Sequence, residues 1–211
     1  MTTLYAFPPT RSNRAQWALE ELGLPYDSHI VNLEGGEQNA SEHLSRHPLG
    51  VVPVLETGQY RLFESVAIVM QLIDENPGLG LAPEPGTPER AQYYQWCVYA
   101  PAEMDCRLME YFDNKLRPLY AMRPPGRQYN LEAAEQGKYQ FSLRANAVSK
   151  VLEKQDYILG DVFSGADIAV GHSCFMAKLM GLIGEYPVLE AYYDRLNQRP
   201  AHRKVYGVAG G

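Results

Sequence analysis

A chain of 211 residues is long enough for one domain or for two modest ones. With 45% hydrophobic and 21% charged residues it has an ordinary globular composition, which excludes disordered, collagen-like and low-complexity classes. The net charge of −6 argues against broad nucleic-acid affinity, which draws on clustered Lys and Arg, while one local basic or amide-lined pocket still suffices for a small anion.

The first eighty residues alternate strand and helix signals. Leu4 to Phe7 is a short apolar stretch closed by Pro8 and Pro9. Ala15, Ala18, Leu19 and Leu22 then repeat at helical spacing and end at Gly23. A second extended segment, about Asp27 to Leu33, leads through Gly35 and Gly36 to a short helix around Ser41 to Arg46, stopped by Pro48. Pro53 to Glu56 and Tyr60 to Phe63 flank Thr57-Gly58 as a hairpin, and Ser65 to Asp74 reads as an apolar helix capped at its start. The order is βαβα followed by ββα.

Between Pro77 and Pro88 proline and glycine crowd together, so residues 77–87 read as a linker. Helical patterns follow at about 89–117, 131–154, 165–182 and 187–197, with breaks at Pro118, at Pro124-Pro125-Gly126 and at Gly160. The longest apolar runs, Val51 to Leu55 and Val66 to Met70, fall short of the roughly 18 residues of a spanning helix, and residues 1–20 lack a secretory apolar core. Cys97, Cys106 and Cys174 form no CxxC pair, and an odd thiol count fits a reducing compartment. A cytoplasmic location is the expectation.

Three segments carry candidate chemistry. In Gly50-Val51-Val52-Pro53-Val54-Leu55 a proline opens a strand; a cis bond there would free the Val52 backbone N–H and C=O for an extended ligand, whereas an ordinary trans proline would do nothing of the kind. At Phe63-Glu64-Ser65 a strand gives way to a helix N-terminus, where Ser65 and the first amides suit an α-carboxylate and Glu64 suits the matching ammonium; the plain alternative is a capping serine. In Pro8-Pro9-Thr10-Arg11-Ser12-Asn13-Arg14 a hydroxyl at the start of a helix either caps it or bonds a thiolate and lowers the thiol's pKa.

These segments, in this order, resemble the soluble glutathione transferase family in its bacterial-like form with a Ser/Thr-type active site. The resemblance runs through Leu4-Tyr5-x-x-Pro8, Leu19-Glu20-Glu21-Leu22-Gly23-Leu24-Pro25-Tyr26, Gly36-Glu37, Pro48-Leu49-Gly50-x-Val52-Pro53-Val54-Leu55 and Phe63-Glu64-Ser65-x-Ala67-Ile68. In the helical half it continues as Gly160-Asp161-x-Phe163-Ser164-x-Ala166-Asp167, where Ser164 and Asp167 are spaced as a capping box and Phe163 and Ile168 as a hydrophobic staple.

The resemblance implies an α/β thioredoxin-like N-terminal domain (βαβαββα) over residues 1–76 that binds glutathione. A linker at 77–87 and an all-helical domain over 88–211, lining the electrophile site, would follow. Val52 and the cis Pro53 would meet the cysteinyl backbone of glutathione, Glu64 and Ser65 its γ-glutamyl end, with Gln38 and Asn39 as further candidates. Where one bacterial class carries cysteine stands Arg11; Ser12 is the first choice for the activating hydroxyl and Thr10 the second. Tyr5 reads as strand packing, and Tyr99, Met104 and Tyr111 lie on the helix that lines the electrophile pocket in relatives.

The implied activity is attack of a glutathione thiolate on a small apolar electrophile. Glutathione serves as co-substrate, and detoxification is the general role. The working form is a homodimer without nucleic-acid or membrane partners. Glutathione-dependent peroxide or disulfide reduction, and a non-catalytic scaffold on the same fold, are the alternatives. His43 and His47 are spaced i, i+4, but no third ligand follows at a suitable distance, so no metal is expected.

Overall fold

The computed structural model describes residues 1–117 and 128–207, and the expected helix breaks at Pro118 and at Pro124-Pro125-Gly126 lie outside them. The chain divides into two units, residues 1–83 with the described residues from Leu196 on, and residues 84–195.

In the first unit β1 (Thr3–Ala6) runs parallel to β2 (Asp27–Ile30) and antiparallel to β3 (Val54–Glu56), which pairs with β4 (Arg61–Phe63) in the order β2-β1-β3-β4. Leu4, Leu55 and Leu62 stand opposite one another across the ladder, so they share one face; Tyr5, Val54 and Phe63 share the other. Helices α1 (Ser12–Leu22) and α3 (Ser65–Asp74) pack on each other and on β1 and β4, and α2 (Ser41–Arg46) lays Arg46 4.3 Å over the Tyr5 ring.

Each element follows from its sequence. The apolar set Ala15, Ala18, Leu19 and Leu22 is buried, and α1 stops at Gly23 (φ 63), whose N–H bonds the Glu20 carbonyl while Leu24 N–H bonds that of Leu19. The hairpin closes through Thr57, whose N–H donates to the Tyr60 carbonyl at 2.8 Å and whose hydroxyl accepts from the Gln59 and Tyr60 amides.

The C-terminal stretch departs from the expected organisation of 88–211. A short helix that the sequence does not announce, Pro200–Tyr206, folds with the first unit. Arg199 makes two bonds of 2.7 Å to the Glu21 carboxylate, Lys204 meets Glu20 at 2.7 Å, and the Trp17 ring stands edge-on to His202 at 4.7 Å. Seven residues opening on a proline give too few turns for a periodic signal.

The second unit is helical throughout its described regular structure. We number its long helices α4 (Pro88–Tyr99), α5 (Cys106–Tyr111), α6 (Leu131–Leu152), α7 (Gly165–Leu179) and α8 (Pro187–Leu196), and the late helix Pro200–Tyr206 is α9. The expected continuous helix over 89–117 contains wider π-type turns at Ala100–Asp105 and Phe112–Leu116. The first holds Pro101, which lacks the N–H that an α-helical ladder needs. α5 and α6 approach closely at Gly137, where a Cβ would lie 3.0 Å from the Arg107 carbonyl and the Tyr111 nitrogen.

The buried α7 opens on Ser164, whose hydroxyl accepts from Ala166 N–H, while Asp167 accepts from Ser164 N–H at 2.8 Å. The expected capping box is therefore present, with Phe163 and Ile168 both buried. Among the described residues no helix is long and apolar enough to cross a membrane.

Candidate active site

Val52–Pro53 is a cis peptide and leads directly into β3. Among the described residues the N–H and C=O of Val52 make no hydrogen bond, so a donor and an acceptor stand open at the strand entrance for an extended backbone. The residues before it are held tightly. Leu49 N–H donates to His47 Nδ1 at 3.1 Å, and the Val51 carbonyl accepts from His43 Nε2 at 3.1 Å. Gly50 has φ +59 and sits so close to the Gln38 carbonyl that a Cβ would collide with its oxygen. Only glycine fits both demands. Gly50→Ala should therefore lower stability by at least about 1–2 kcal/mol, the penalty of a left-handed conformation for an L-residue. Thermal unfolding checks this.

Eleven residues on from Pro53, Glu64 occupies φ 72, ψ 110, and it is the non-glycine residue with positive φ among the described residues. The expected cap at this helix is absent. Glu64, not Ser65, takes the N-cap position without a side-chain cap bond, and Ser65 becomes the first helical residue. The Ser65 hydroxyl and the amides of Ser65, Val66 and Ala67 thus have no partner within the described residues, and Ile68 N–H is the first amide of the helix to be paired. Uncapped amides, a serine hydroxyl and the positive end of a ten-residue helix make an anion site, with the exposed Glu64 carboxylate beside it for a cation. Strain in a residue at such a place is a common mark of a binding site.

At the start of α1 a cis Pro8–Pro9 bond, unannounced by the sequence, precedes the two hydroxyls. Ser12 is fully buried; its Oγ accepts from Phe7 N–H at 3.2 Å and lies 2.7 Å from Thr10 Oγ1. Thr10 Oγ1 in turn accepts from Ser12 N–H at 3.2 Å, and Thr10 is only partly buried. Of the pair, Thr10 faces outward, and the Ser12 hydroxyl is shut in behind it.

The remaining candidates fall out as follows. Gln38 and Asn39 lie on a 3₁₀ turn, Gln38 with its amide oxygen buried and unpartnered and Asn39 exposed. His43 and His47 turn ring nitrogens to backbone groups of the 49–51 loop. Burial holds the His47 imidazole below its ordinary range against the pull of Glu64, in keeping with an Nδ1 that accepts from Leu49. Tyr5 packs among Arg46, His29 and His43 on the α2 face of the sheet. Met104 is fully buried, while Tyr99 and Tyr111 are half-buried.

An open backbone pair, an anion-binding helix start with a carboxylate beside it, and an outward hydroxyl at α1 lie in one thioredoxin-like unit of a chain whose other unit is helical. That combination offers partners for the backbone of a small peptide and for a free amino acid end. The family described as "Glutathione S-transferase, N-terminal domain" matches residues 1–72, and "Glutathione S-transferase, C-terminal domain" matches residues 105–200. Glutathione S-transferase F10 of Arabidopsis thaliana is 30% identical over 215 residues, spanning 96% of this chain and 95% of that protein.

Among solved structures, a glutathione transferase from Methylococcus capsulatus superposes with a TM-score of 0.84 at 25% identity, covering 100% of this chain and 99% of that one. Glutathione S-transferase-I bound with lactoylglutathione superposes with a TM-score of 0.81 at 25% identity, covering 98% and 99%. The chain belongs to the glutathione S-transferase family.

Proposed function

We infer that the protein is a glutathione transferase whose Val52 backbone pairs with the cysteinyl residue of glutathione and whose Ser65 and Glu64 hold the γ-glutamyl end. The observation that carries this reading is the unpaired N–H and C=O of Val52, a donor and an acceptor left open at the entrance to β3. Ser65 and the first amides of α3 meet the α-carboxylate, and Glu64 meets the α-ammonium.

The thiol is activated at α1. In this reading the Ser12 hydroxyl donates to Thr10 Oγ1, 2.7 Å away, and the Thr10 proton is left for a thiolate. The helix N-terminus adds positive potential. Catalysis is then stabilisation of the thiolate together with its placement against the acceptor. The acceptor is a small apolar electrophile, the working form a homodimer and the location cytoplasmic, as the resemblance implies. Isothermal calorimetry with reduced glutathione tests the reading: binding at millimolar concentration or below is expected, and no heat of binding at ten millimolar would overturn it.

A further inference from the structure

The loop that leads into Val52 is held from one side by residues 38–47, and one of those contacts is made by a side chain with no evident reason to be polar. His43 sits on α2 and is 2% exposed, its ring 6.4 Å from that of Tyr5. A carbonyl can only accept, so the 3.1 Å contact with the Val51 oxygen puts the proton on Nε2 and leaves Nδ1 as a bare acceptor. Nδ1 is buried and has no partner. An apolar ring such as that of phenylalanine would occupy this place without an orphaned acceptor. What the imidazole alone supplies is the bond to Val51.

That bond reaches further than Val51. The Val51 C=O and the Val52 N–H belong to one planar trans peptide, so they point in opposite directions along a single rigid plate. Fixing the oxygen fixes the direction of the N–H. The N–H so fixed is the donor of the open Val52 pair, and neighbouring contacts at Leu49 and Gly50 already immobilise the chain before it.

We propose that His43 is a positioning residue for glutathione, which holds the Val51 carbonyl and thereby aims the Val52 N–H at the backbone carbonyl of the ligand's cysteinyl residue. The assignment rests on Val52 as the site of backbone pairing. It touches neither the thiol nor the γ-glutamyl end, so its signature is in the binding of glutathione and not in the chemical step.

Calorimetry with reduced glutathione on the full chain, for wild type, His43→Gln, His43→Asn and His43→Phe, tests this. The amide nitrogen of Gln comes near the position of Nε2, that of Asn falls short of it, and Phe keeps the ring without a donor. The Gln variant should bind within about threefold of wild type, and the Asn and Phe variants about tenfold more weakly, the scale of one lost oriented hydrogen bond. KM for glutathione should rise in step while kcat at saturating glutathione stays at the wild-type value.

Should the Phe variant not fold, the comparison of Asn with Gln stands by itself. Equal affinity for the Asn, Gln and wild-type proteins, or a fall in kcat at unchanged KM, overturns the role of His43 alone. Absence of binding to the wild type overturns the glutathione reading and this assignment with it.

Discussion

Replacing Asp167 by alanine should destabilise the protein by about 3–5 kcal/mol, because it strips the acceptor from several buried donors at once, each orphaned donor costing about 1–3 kcal/mol. Asp167 Oδ1 accepts from Ile158 N–H at 2.8 Å and from the Tyr192 hydroxyl at 2.9 Å, and Oδ2 accepts from the Ser164 amide at 2.8 Å and its hydroxyl at 3.0 Å. The carboxylate therefore joins the loop before α7, the α7 cap and α8. Chemical denaturation of the variant checks the figure; a loss below about 1 kcal/mol would show that the donors find other partners.

The same residue gives a pH dependence of defined sign. Burial raises the Asp167 pKa to about 6, against the lowering effect of the four bonds. A carboxyl whose folded pKa lies above its unfolded value near 3.8 contributes stability that is fully present below the unfolded pKa and is lost as pH rises through about 6. The cost of Asp167→Asn, which removes this titration, should accordingly be larger at pH 4 than at pH 7.

The second large effect concerns the ligand. Ser65→Ala should weaken glutathione binding by about 1.5–3 kcal/mol, the value of a hydrogen bond to a charged group, and Glu64→Ala by a similar amount. Glu64→Ala also tests the strained backbone, since alanine at φ 72 has the same conformational cost without the carboxylate. Calorimetry on both variants, with circular dichroism to verify the fold, decides the matter. Unchanged affinity in both would move the γ-glutamyl end elsewhere.

Much of this architecture is legible in the sequence because its signals are local. The helical spacing of Ala15 to Leu22, the stop at Gly23, the Thr57-Gly58 turn and the Ser164-Asp167 box each depend on residues within a few positions of one another, and each stands in the structure where it is read. What escaped depends on how distant pieces meet. The positive φ of Glu64 has no compositional signal, because glutamate is not a residue that favours it, and a serine beside it reads naturally as a cap. Helix α9 is held by Glu20, Glu21 and Trp17 from the opposite end of the chain.

The burial of Ser12 and its bond from Phe7 were equally hidden, since Thr10 and Ser12, two polar residues on one short loop, look alike in the sequence. His43 was legible as a metal candidate only, since the carbonyl it holds is fixed by the turn at Gly50.

The Thr10–Ser12 pair is proposed to lower the pKa of bound glutathione, which an ultraviolet titration of the thiolate in the complex reads out. The wild-type complex should ionise below the pKa of glutathione free in water. Thr10→Val should raise that pKa by about one to two units, because a hydrogen bond to a charged group is worth about 1.5–3 kcal/mol and each unit is about 1.4. Ser12→Ala should raise it less, since it removes only the support behind Thr10. A wild-type complex that ionises no lower than free glutathione, or a Thr10→Val complex that titrates with the wild type, would contradict the assignment.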